Sequence, residues 1–341
     1  MMADPVAEAW DTVHAAVATA RAEVRAAAPD KATAADGEAY VARILTTCLT
    51  DAFLGHLTVE GGLTRALLTR GGPNPDYRIY SAPIDQAGRY RLEGRLNGSE
   101  RVGIGTYSFA NGVAVISNYT AFDAGTGDGF ALDVSADVEG PNTLTILPGA
   151  RMFTIRVLHR DPRAEPARLV LTGGPPVRDL CLAQGSTEAA LGQVAQALVG
   201  SIRMFLEWSA VTSMSKNAFI AEEPKMAQGV QGDPDTIYYL GAYDLADGEW
   251  LEVVLPPNIS GYWSLHAYDH WCEHLPGASM GDNAAIADGD GTIRIAIGPS
   301  TGTATPNCID TLGRKSGALI IRAISTGSVP VPQTTVHAGE T

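Results

Sequence analysis

The strongest constraint on the fold of this chain is an internal repeat of its sequence. Residues 74–93 can be laid over residues 233–252 without gaps, at a shift of 159 positions. Ordinary residue usage gives about one chance identity in such a window. Seven positions are identical here: Pro75/Pro234, Asp76/Asp235, Tyr80/Tyr239, Asp85/Asp244, Ala87/Ala246, Leu92/Leu251 and Glu93/Glu252.

Two further segments match in the same order along the chain. Residues 104–108 correspond to 265–269 and include the pair Tyr107/Tyr268. Residues 154–156 correspond to 320–322. The alternative is that two unrelated antiparallel sheets share turn-and-strand patterns. Because the three matches are colinear, we favour a tandem duplication of one unit.

A helical pattern precedes a series of short strands in both halves. Apolar residues at helical spacing predict a helix at 5–28, a second helix capped by Asp36 that ends near Gly61, and a third capped by Ser186 or Thr187. Short runs between turn residues predict strands. The expected fold is α+β and mainly β, with two tandem antiparallel β-sandwich or jelly-roll-like halves, each preceded by a helical segment.

The glycine and proline run at 173–176 is the clearest linker and predicts the boundary between the halves. The expected organisation has four parts. They are a helical N-terminal segment at 1–70, a first β-sandwich domain at 71–176, a helical connector at 177–230 and a second β-sandwich domain at 231–341.

Composition excludes several classes of partner. The formal net charge is −14, from 38 acidic and 24 basic residues without a basic cluster, so we expect no nucleic-acid partner. No apolar run has the length of a membrane span and no signal sequence is visible, so we expect a cytoplasmic protein without a membrane partner. The four cysteines are widely scattered along the chain, so we expect them to be free thiols. A homo-oligomer that pairs through strand edges remains an alternative.

The densest group of functional side chains lies at 262–274, which holds three of the seven histidines and two of the five tryptophans. A strand up to Tyr268 has two different faces. The apolar face carries Trp263, Leu265 and Ala267, and the polar face carries Tyr262, Ser264, His266 and Tyr268. Buried polar groups without partners cost about 1–3 kcal/mol each, so this face predicts a ligand site. The alternative is a face that is solvated or satisfied structurally.

His266 stands where the first half has Gly105, so an imidazole is present in one copy only. Asp269 beside His270 also permits a carboxylate-oriented general base. The spacing of His266, His270 and His274 by four residues suits metal ligands on a helix, but the strand pattern disfavours that arrangement. We therefore expect neither a metal nor another cofactor. No nucleophile elbow, phosphate loop or dinucleotide fingerprint is present.

Several motifs together resemble the bacterial proteins built on the domain of unknown function 1214, which is often paired with the one numbered 1254. The motifs are Gly71–Asp76 with Tyr80, Gly232–Asp235 with Tyr239, Tyr262–Leu265 with Tyr268 and Asp269, Trp271 with Glu273, and Pro306–Asn307 through Gly313. The resemblance implies a two-domain β-sandwich protein and no particular reaction. Cys272 and Cys308 stand where the family pattern has tryptophan, which implies a wider or differently selective pocket.

These observations predict a cytosolic enzyme that acts by hydrolase- or lyase-type acid/base chemistry on a small apolar or aromatic organic molecule. The expected catalytic residues are His266, Tyr268, Asp269 and His270. The expected substrate-binding residues are Tyr239, Tyr262, Trp263, Trp271 and Asn307. One alternative is a non-catalytic β-sandwich protein that binds a small ligand or carbohydrate on an aromatic platform. Another is a structural or oligomeric role without a site.

Overall fold

The computed structural model describes residues 4–66, 71–110, 113–174, 185–221, 232–256, 259–299, 305–325 and 329–338. Within these ranges the α-helices are α1 (Pro5–Ala27), α2 (Lys31–Leu49) and α3 (Thr187–Thr212). The strands are β1 (Val59–Glu60), β2 (Leu63–Arg65), β3 (Tyr77–Pro83), β4 (Tyr90–Arg95), β5 (Arg101–Ala110), β6 (Val113–Asp123), β7 (Gly129–Ser135), β8 (Thr143–Thr145), β9 (Ala150–Leu158), β10 (Arg168–Gly173), β11 (Ala218–Ala221), β12 (Ile237–Asp244), β13 (Glu249–Leu255), β14 (Tyr262–Tyr268), β15 (His274–Gly281), β16 (Ile293–Gly298), β17 (Cys308–Asp310), β18 (Ser316–Ile324) and β19 (Gln333–Ala338).

The strands form four sheets, two in each half. The first half has an inner sheet in the order β1-β2-β3-β9-β5-β6 and an outer sheet in the order β10-β4-β7-β8. The second half has an inner sheet β11-β12-β18-β14-β15 and an outer sheet β17-β16-β13-β19. We call two of the sheets inner because their polar faces contact the other half of the chain. The predicted fold class, two tandem β-sandwich halves with helices, is confirmed.

The topology supports the internal repeat strand by strand. Strands β3-β9-β5-β6 correspond to β12-β18-β14-β15, and β10-β4-β7-β8 correspond to β19-β13-β16-β17. In each outer sheet one pair is parallel, β7 with β8 and β16 with β17. The register agrees too, since Tyr80 lies opposite Ile155 and Tyr239 lies opposite Ile321. The corresponding strands of the two halves therefore have the same order and the same register.

Each sandwich has its own apolar core between its inner and outer sheets. Alternate side chains of each inner strand point into this core. In β14 these are Trp263, Leu265 and Ala267, as the sequence predicts. In β9, Phe153 and Ile155 point into the first core in the same way. The opposite faces of the inner sheets carry the polar side chains.

The three helices form a third core of their own. Val24 of α1, Tyr40 of α2 and Leu198 of α3 are buried together there. By length and composition α3 alone, among the helices of the described residues, could cross a membrane. Its apolar stripe is buried against α1 and α2, so burial in the helical core accounts for this composition.

The start of α2 differs from the expectation. The helix begins at Lys31 because the side chain of Asp30 accepts a hydrogen bond from Thr33 N over 2.8 Å. Asp36 lies inside the helix and pairs with Arg314 at 3.0 Å. The short strands β1 and β2 join the first inner sheet before residue 71. The predicted linker at 173–176 lies partly outside the described residues.

Candidate functional site

Each half of the chain places a proline–aspartate turn against the inner sheet of the other half. In the first turn, Asp76 N donates to Asn74 Oδ1 over 3.0 Å. In the second turn, Asp235 N donates to Asp233 Oδ1 over 3.0 Å. The repeated motif therefore forms the same side-chain turn twice. The two turns differ in the remaining side-chain atom, which is an amide nitrogen in Asn74 and a carboxylate oxygen in Asp233.

The second turn lies on the first inner sheet and is held there by an ion pair. Arg101 of β5 binds Asp235 and also Asp123, the latter over 2.7 Å. Asp233 is 3% exposed, and its Oδ2 has no hydrogen-bond partner within the described ranges. This end of the interface is a charged contact between the halves.

The first turn lies on the second inner sheet, at the residues 262–268 that the sequence singles out. Tyr262 Oη donates to Asp76 Oδ2 over 2.9 Å and accepts a hydrogen bond from Asn74 Nδ2 over 2.9 Å. Tyr268 Oη donates to the carbonyl of Pro73 over 2.8 Å. The polar face of β14 is therefore buried against the other half of the chain, not solvated.

His266 lies at the centre of this contact and is 1% exposed. Its Nδ1 lies 2.8 Å from Ser279 Oγ, and the same hydroxyl lies 2.9 Å from His274 Nε2. Its Nε2 faces Asp76 Oδ2 at 3.7 Å, which is longer than a hydrogen bond. No described residue forms a hydrogen bond with this Nε2. One ring nitrogen of a buried histidine is thus directed at a carboxylate of the opposite half.

The hydrogen-bond pattern assigns the tautomer of His266. Ser279 has one hydroxyl hydrogen, so it donates to one imidazole and accepts from the other. A contact with the main chain of Ala278 favours a proton on His274, and we assign this proton to Nδ1, which leaves Nε2 as the acceptor of the neutral ring. Ser279 then accepts from Nδ1 of His266. Nε2 of His266 is consequently the basic nitrogen, next to Asp76.

The electrostatics leave His266 uncharged and Asp76 ionised. Burial, the largest influence, lowers the pKa of His266, and Asp76 only partly opposes it. Burial by itself would raise the pKa of Asp76, but contacts with His266, Tyr262 and Arg160 hold it below its ordinary value. At neutral pH the imidazole is uncharged and the carboxylate is ionised. A proton arriving at Nε2 would be stabilised by the adjacent carboxylate.

Arg160 closes the outer side of the site. Its guanidinium lies 5.3 Å from the centre of the Tyr262 ring. It binds Glu100 of the first half over 2.7 Å and Asp282 of the second half over 2.6 Å. This arginine therefore links the two halves beside the candidate site.

Asp269 and His270 lie away from His266. Asp269 Oδ1 accepts hydrogen bonds from the main-chain nitrogens of Trp271 at 2.8 Å and Glu273 at 3.0 Å, so it shapes the turn after β14. His270 packs edge-on against Trp271 and lines a separate cavity of about 230 Å³ together with Lys216 and other residues. Of the four residues predicted as catalytic, only His266 and Tyr268 lie together.

Four of the five predicted binding residues are structural. Trp263 is buried in the second sandwich core and Trp271 in the helical core, where it stacks on Tyr40. Tyr239 belongs to the second core, and its hydroxyl is bound to the carbonyl of Val329. The side-chain amide of Asn307 forms hydrogen bonds with main-chain atoms of residues 286 and 294. Both tryptophan rings are covered, so the expected aromatic platform is not formed, and only Tyr262 contacts the site.

The two cysteines that replace the expected tryptophans do not line the site either. Cys272 is buried beside Ser209, with its sulfur 3.5 Å from the hydroxyl, and Cys308 is exposed on β17. His266 and His274 share Ser279, whereas His270 lies elsewhere. Within the described ranges no group of three or more His, Cys, Asp or Glu side chains could hold a metal ion.

Sequence reasoning missed Asp76, Ser279 and Arg322 as members of the site. Ser279 lies in β15, whose run of small residues gave no strand signal. Arg322 was noticed only as part of a repeat. The signal for Asp76 was present, because the proline–aspartate turn occurs in both halves, but nothing in the sequence says that each turn reaches the other half.

The fold and the site together define a tandem-duplicated β-sandwich protein with a polar site between its two copies. Residues 216–335, which cover most of the second copy, match the family described as "Protein of unknown function (DUF1254)". No curated protein sequence matches the chain.

The solved structures that are similar to this one include two bacterial proteins. The crystal structure of an uncharacterized protein from Burkholderia cenocepacia has a TM-score of 0.82 and 21% sequence identity, over 97% of this chain and 96% of that one. A protein from Vibrio parahaemolyticus has a TM-score of 0.46 and 12% identity, over 87% of this chain and 100% of that one. The first likeness extends the fold to a second protein across nearly the whole chain.

Proposed function

We propose that this protein is an enzyme in which His266 acts as the general base toward a small organic molecule bound between the two halves. The observation that supports this most directly is the position of a buried histidine, whose Nε2 has no hydrogen-bond partner among the described residues and lies 3.7 Å from a carboxylate of the other half. A base of this kind removes a proton from a substrate hydroxyl, water or carbon acid, which is the chemistry of hydrolases and lyases.

Asp76 has the role of stabilising the imidazolium that forms when His266 takes up a proton. Tyr262 holds the carboxylate by donating to Oδ2, and Ser279 holds the ring by accepting from Nδ1. These contacts fix both the position and the tautomer of the base before any substrate binds. Tyr268 and Arg322 keep the turn that carries Asp76 against the sheet.

The surroundings of His266 favour a polar substrate over the apolar or aromatic one that the sequence suggested. The nearest groups are the Ser279 hydroxyl, the His274 imidazole and the Asp76 carboxylate. An apolar molecule would leave them without partners. The carbohydrate-binding alternative loses its support, because both tryptophan rings that would form its platform are buried.

The proposal can be tested without knowing the substrate. A small-molecule extract of cells that produce the protein is incubated with wild type or with His266→Gln, and mass spectrometry follows which compounds are consumed. His337→Gln serves as the control, since His337 stacks on Trp250 in the outer sheet. We expect consumption of at least one compound by wild type and the control but not by His266→Gln. Consumption that is unchanged in His266→Gln, or absent in wild type, would contradict the proposal.

We also propose a family and a location for the protein. Membership of the domain-1214 family rests on the motifs given above, and the match to its usual partner family supports it. A cytoplasmic location rests on the composition and on the scattered cysteines.

A further inference from the structure

The hydroxyl of Ser279 joins two imidazole rings of the second copy. Its Oγ lies 2.8 Å from Nδ1 of His266 and 2.9 Å from Nε2 of His274. The pairing of β14 with β15 produces this arrangement, because His266 lies directly opposite Ser279 and Tyr268 lies opposite His274. The centres of the two imidazole rings are 5.4 Å apart. An unbroken chain of hydrogen bonds therefore runs from His266 through Ser279 to His274.

This chain leads from the interior of the protein toward its surface. His266 is 1% exposed, whereas Ser279 and His274 are both half-buried. Between them in β15, Pro276 and Gly277 are exposed. A proton on the ring of His266 is therefore shielded from water, while the ring of His274 has direct access to solvent.

The single hydrogen of the Ser279 hydroxyl gives the chain two arrangements of protons. In the first, which is the one assigned above, Nδ1 of His266 donates to Ser279 and Ser279 donates to Nε2 of His274. In the second, both hydrogen bonds are reversed, so Ser279 donates to Nδ1 of His266 and Nε2 of that ring carries the proton. Nε2 of His266 is a base in the first arrangement and an acid in the second.

The two ends of the chain favour opposite arrangements. At the inner end, Asp76 Oδ2 lies 3.7 Å from Nε2 of His266, so the carboxylate favours a proton on this nitrogen. At the outer end, the main chain of Ala278 favours the proton that we assign to Nδ1 of His274. Because each arrangement has an acceptor at one end only, neither is stabilised at both ends.

Arg322 of β18 and Tyr268 of β14 also face the two rings. Burial lowers the pKa of both imidazoles, and the charge of Arg322 acts in the same direction. The Tyr268 ring lies 6.5 Å from His266 and 5.8 Å from His274, measured between ring centres. Burial raises the pKa of Tyr268, so its hydroxyl adds no charge at neutral pH. A positive charge on either imidazole is therefore short-lived, and a proton taken up by one ring is passed on.

We propose that Ser279 and His274 form a proton relay that connects His266 to solvent and regulates whether His266 is a base or an acid. When Nε2 of His266 takes up a proton, Nδ1 passes its own proton to Ser279 Oγ, and the hydroxyl hydrogen of Ser279 moves to Nε2 of His274. The His274 imidazolium then releases its Nδ1 proton to water. One proton enters and one leaves, so the net charge is unchanged. This inference rests on the proposed function, in which His266 is the base.

The first test reads which ring nitrogens are protonated in the full chain, without any substrate. Nitrogen-15 NMR of protein labelled in its histidines distinguishes a protonated ring nitrogen from an unprotonated one. In wild type at neutral pH we expect Nε2 of His266 to be unprotonated. His274→Phe keeps a ring but removes the acceptor of Ser279, so the hydroxyl donates to Nδ1 of His266 and the proton of that ring moves to Nε2. His337→Phe is the matched control and should leave the protonation of His266 unchanged.

The second test measures how fast the ring proton of His266 exchanges with solvent deuterium. Ser279→Ala removes both hydrogen bonds of the relay, so exchange should slow by about tenfold or more. Ser279→Thr keeps a hydroxyl and should exchange at nearly the wild-type rate. Ser264→Ala removes a hydroxyl from the same sheet face but outside the chain, and should also exchange as wild type does.

Two results would overturn the relay. One is a His266 ring that keeps its protonated nitrogen in His274→Phe, and the other is wild-type exchange in Ser279→Ala. Neither measurement depends on turnover. A protein that consumes no compound but shows both expected effects would support the relay and contradict the proposed function, so the two failures are distinguishable.

Discussion

Arg156 and Arg322 occupy equivalent positions in the two inner sheets, and each donates from Nη1 to a tyrosine hydroxyl of the neighbouring strand. The two tyrosines, Tyr107 and Tyr268, are themselves equivalent in the repeat. This arginine–tyrosine pair is one part of the interface that both copies keep. The residues around it differ, with Asp233 and Arg101 at one end and His266 with Asp76 at the other.

The shared pair predicts unequal costs for two matched substitutions. Tyr268→Phe removes the acceptor of Arg322 and the donor to the carbonyl of Pro73, whereas Tyr107→Phe removes only the acceptor of Arg156. Leaving a buried polar group unpaired costs about 1–3 kcal/mol. We expect Tyr268→Phe to lower the thermal unfolding midpoint more than Tyr107→Phe does. An equal or smaller loss would show that the bond to Pro73 does not hold the turn.

Acid should destabilise the protein through its buried histidines. Burial, followed by the nearby His266, lowers the pKa of His274 to about 4, from 6.5 in the unfolded chain. The folded state therefore resists a proton that the unfolded state accepts, and stability falls as the pH decreases from about 6.5 to about 4, by up to about 2 kcal/mol because the ring is partly exposed to solvent. His274→Gln should flatten the curve of denaturant midpoint against pH in this window. His14→Gln, on the exposed face of α1, should leave the curve unchanged.

An increase in pH through 7 should destabilise the protein through Asp269. Burial raises the pKa of this carboxyl to about 7, against 3.8 in the unfolded chain. The folded state prefers the protonated form, so its contribution to stability is complete below pH 3.8 and is lost as the pH rises through 7. Asp269→Asn keeps the oxygen that accepts from Trp271 N. We expect the variant to match wild type near pH 4 and to exceed it at pH 8 by up to about 4 kcal/mol in the free energy of unfolding. Parallel curves for the two proteins would rule this out.

Two glycines in helices should respond oppositely to alanine. A Cβ on Gly37 of α2 would lie 2.2 Å from Val24 and 2.9 Å from the Trp271 ring. Gly37→Ala should therefore destabilise the protein by about 1–3 kcal/mol, despite the better helix propensity of alanine. A Cβ on Gly200 of α3 meets nothing within 4 Å, so Gly200→Ala should stabilise by up to about 1 kcal/mol. Denaturant unfolding of both variants gives the comparison, and a stable Gly37→Ala would mean that Trp271 can move away.

Local patterns predicted the strands and the repeat, but not the partners of the site. Tyr262, His266 and Tyr268 were assigned to one face of a strand because alternation with Trp263 and Leu265 is a short-range signal. Trp271 was expected to bind substrate and lies instead among the helices. Its position depends on how α1 and α2 pack against the end of β14. Asp76 was identified only as part of the repeated motif, since its distance to His266 is set by the packing of the two halves. Long-range placement of this kind has no periodicity in the sequence.

The reciprocal seating of the two turns has a consequence for how this architecture arose. The turn of each copy covers the inner sheet of the other copy. Two identical single copies could therefore meet in the same way, as an isologous dimer with twofold symmetry. Fusion of the two subunits into one chain would allow their sequences to differ. The contact surface would then no longer have to be self-complementary. One end could then keep a charged clasp such as Arg101 with Asp235, while the other exchanged Gly105's equivalent for His266. A chain cut between the copies should accordingly reassemble from its two fragments, whereas neither fragment alone would hold a complete site.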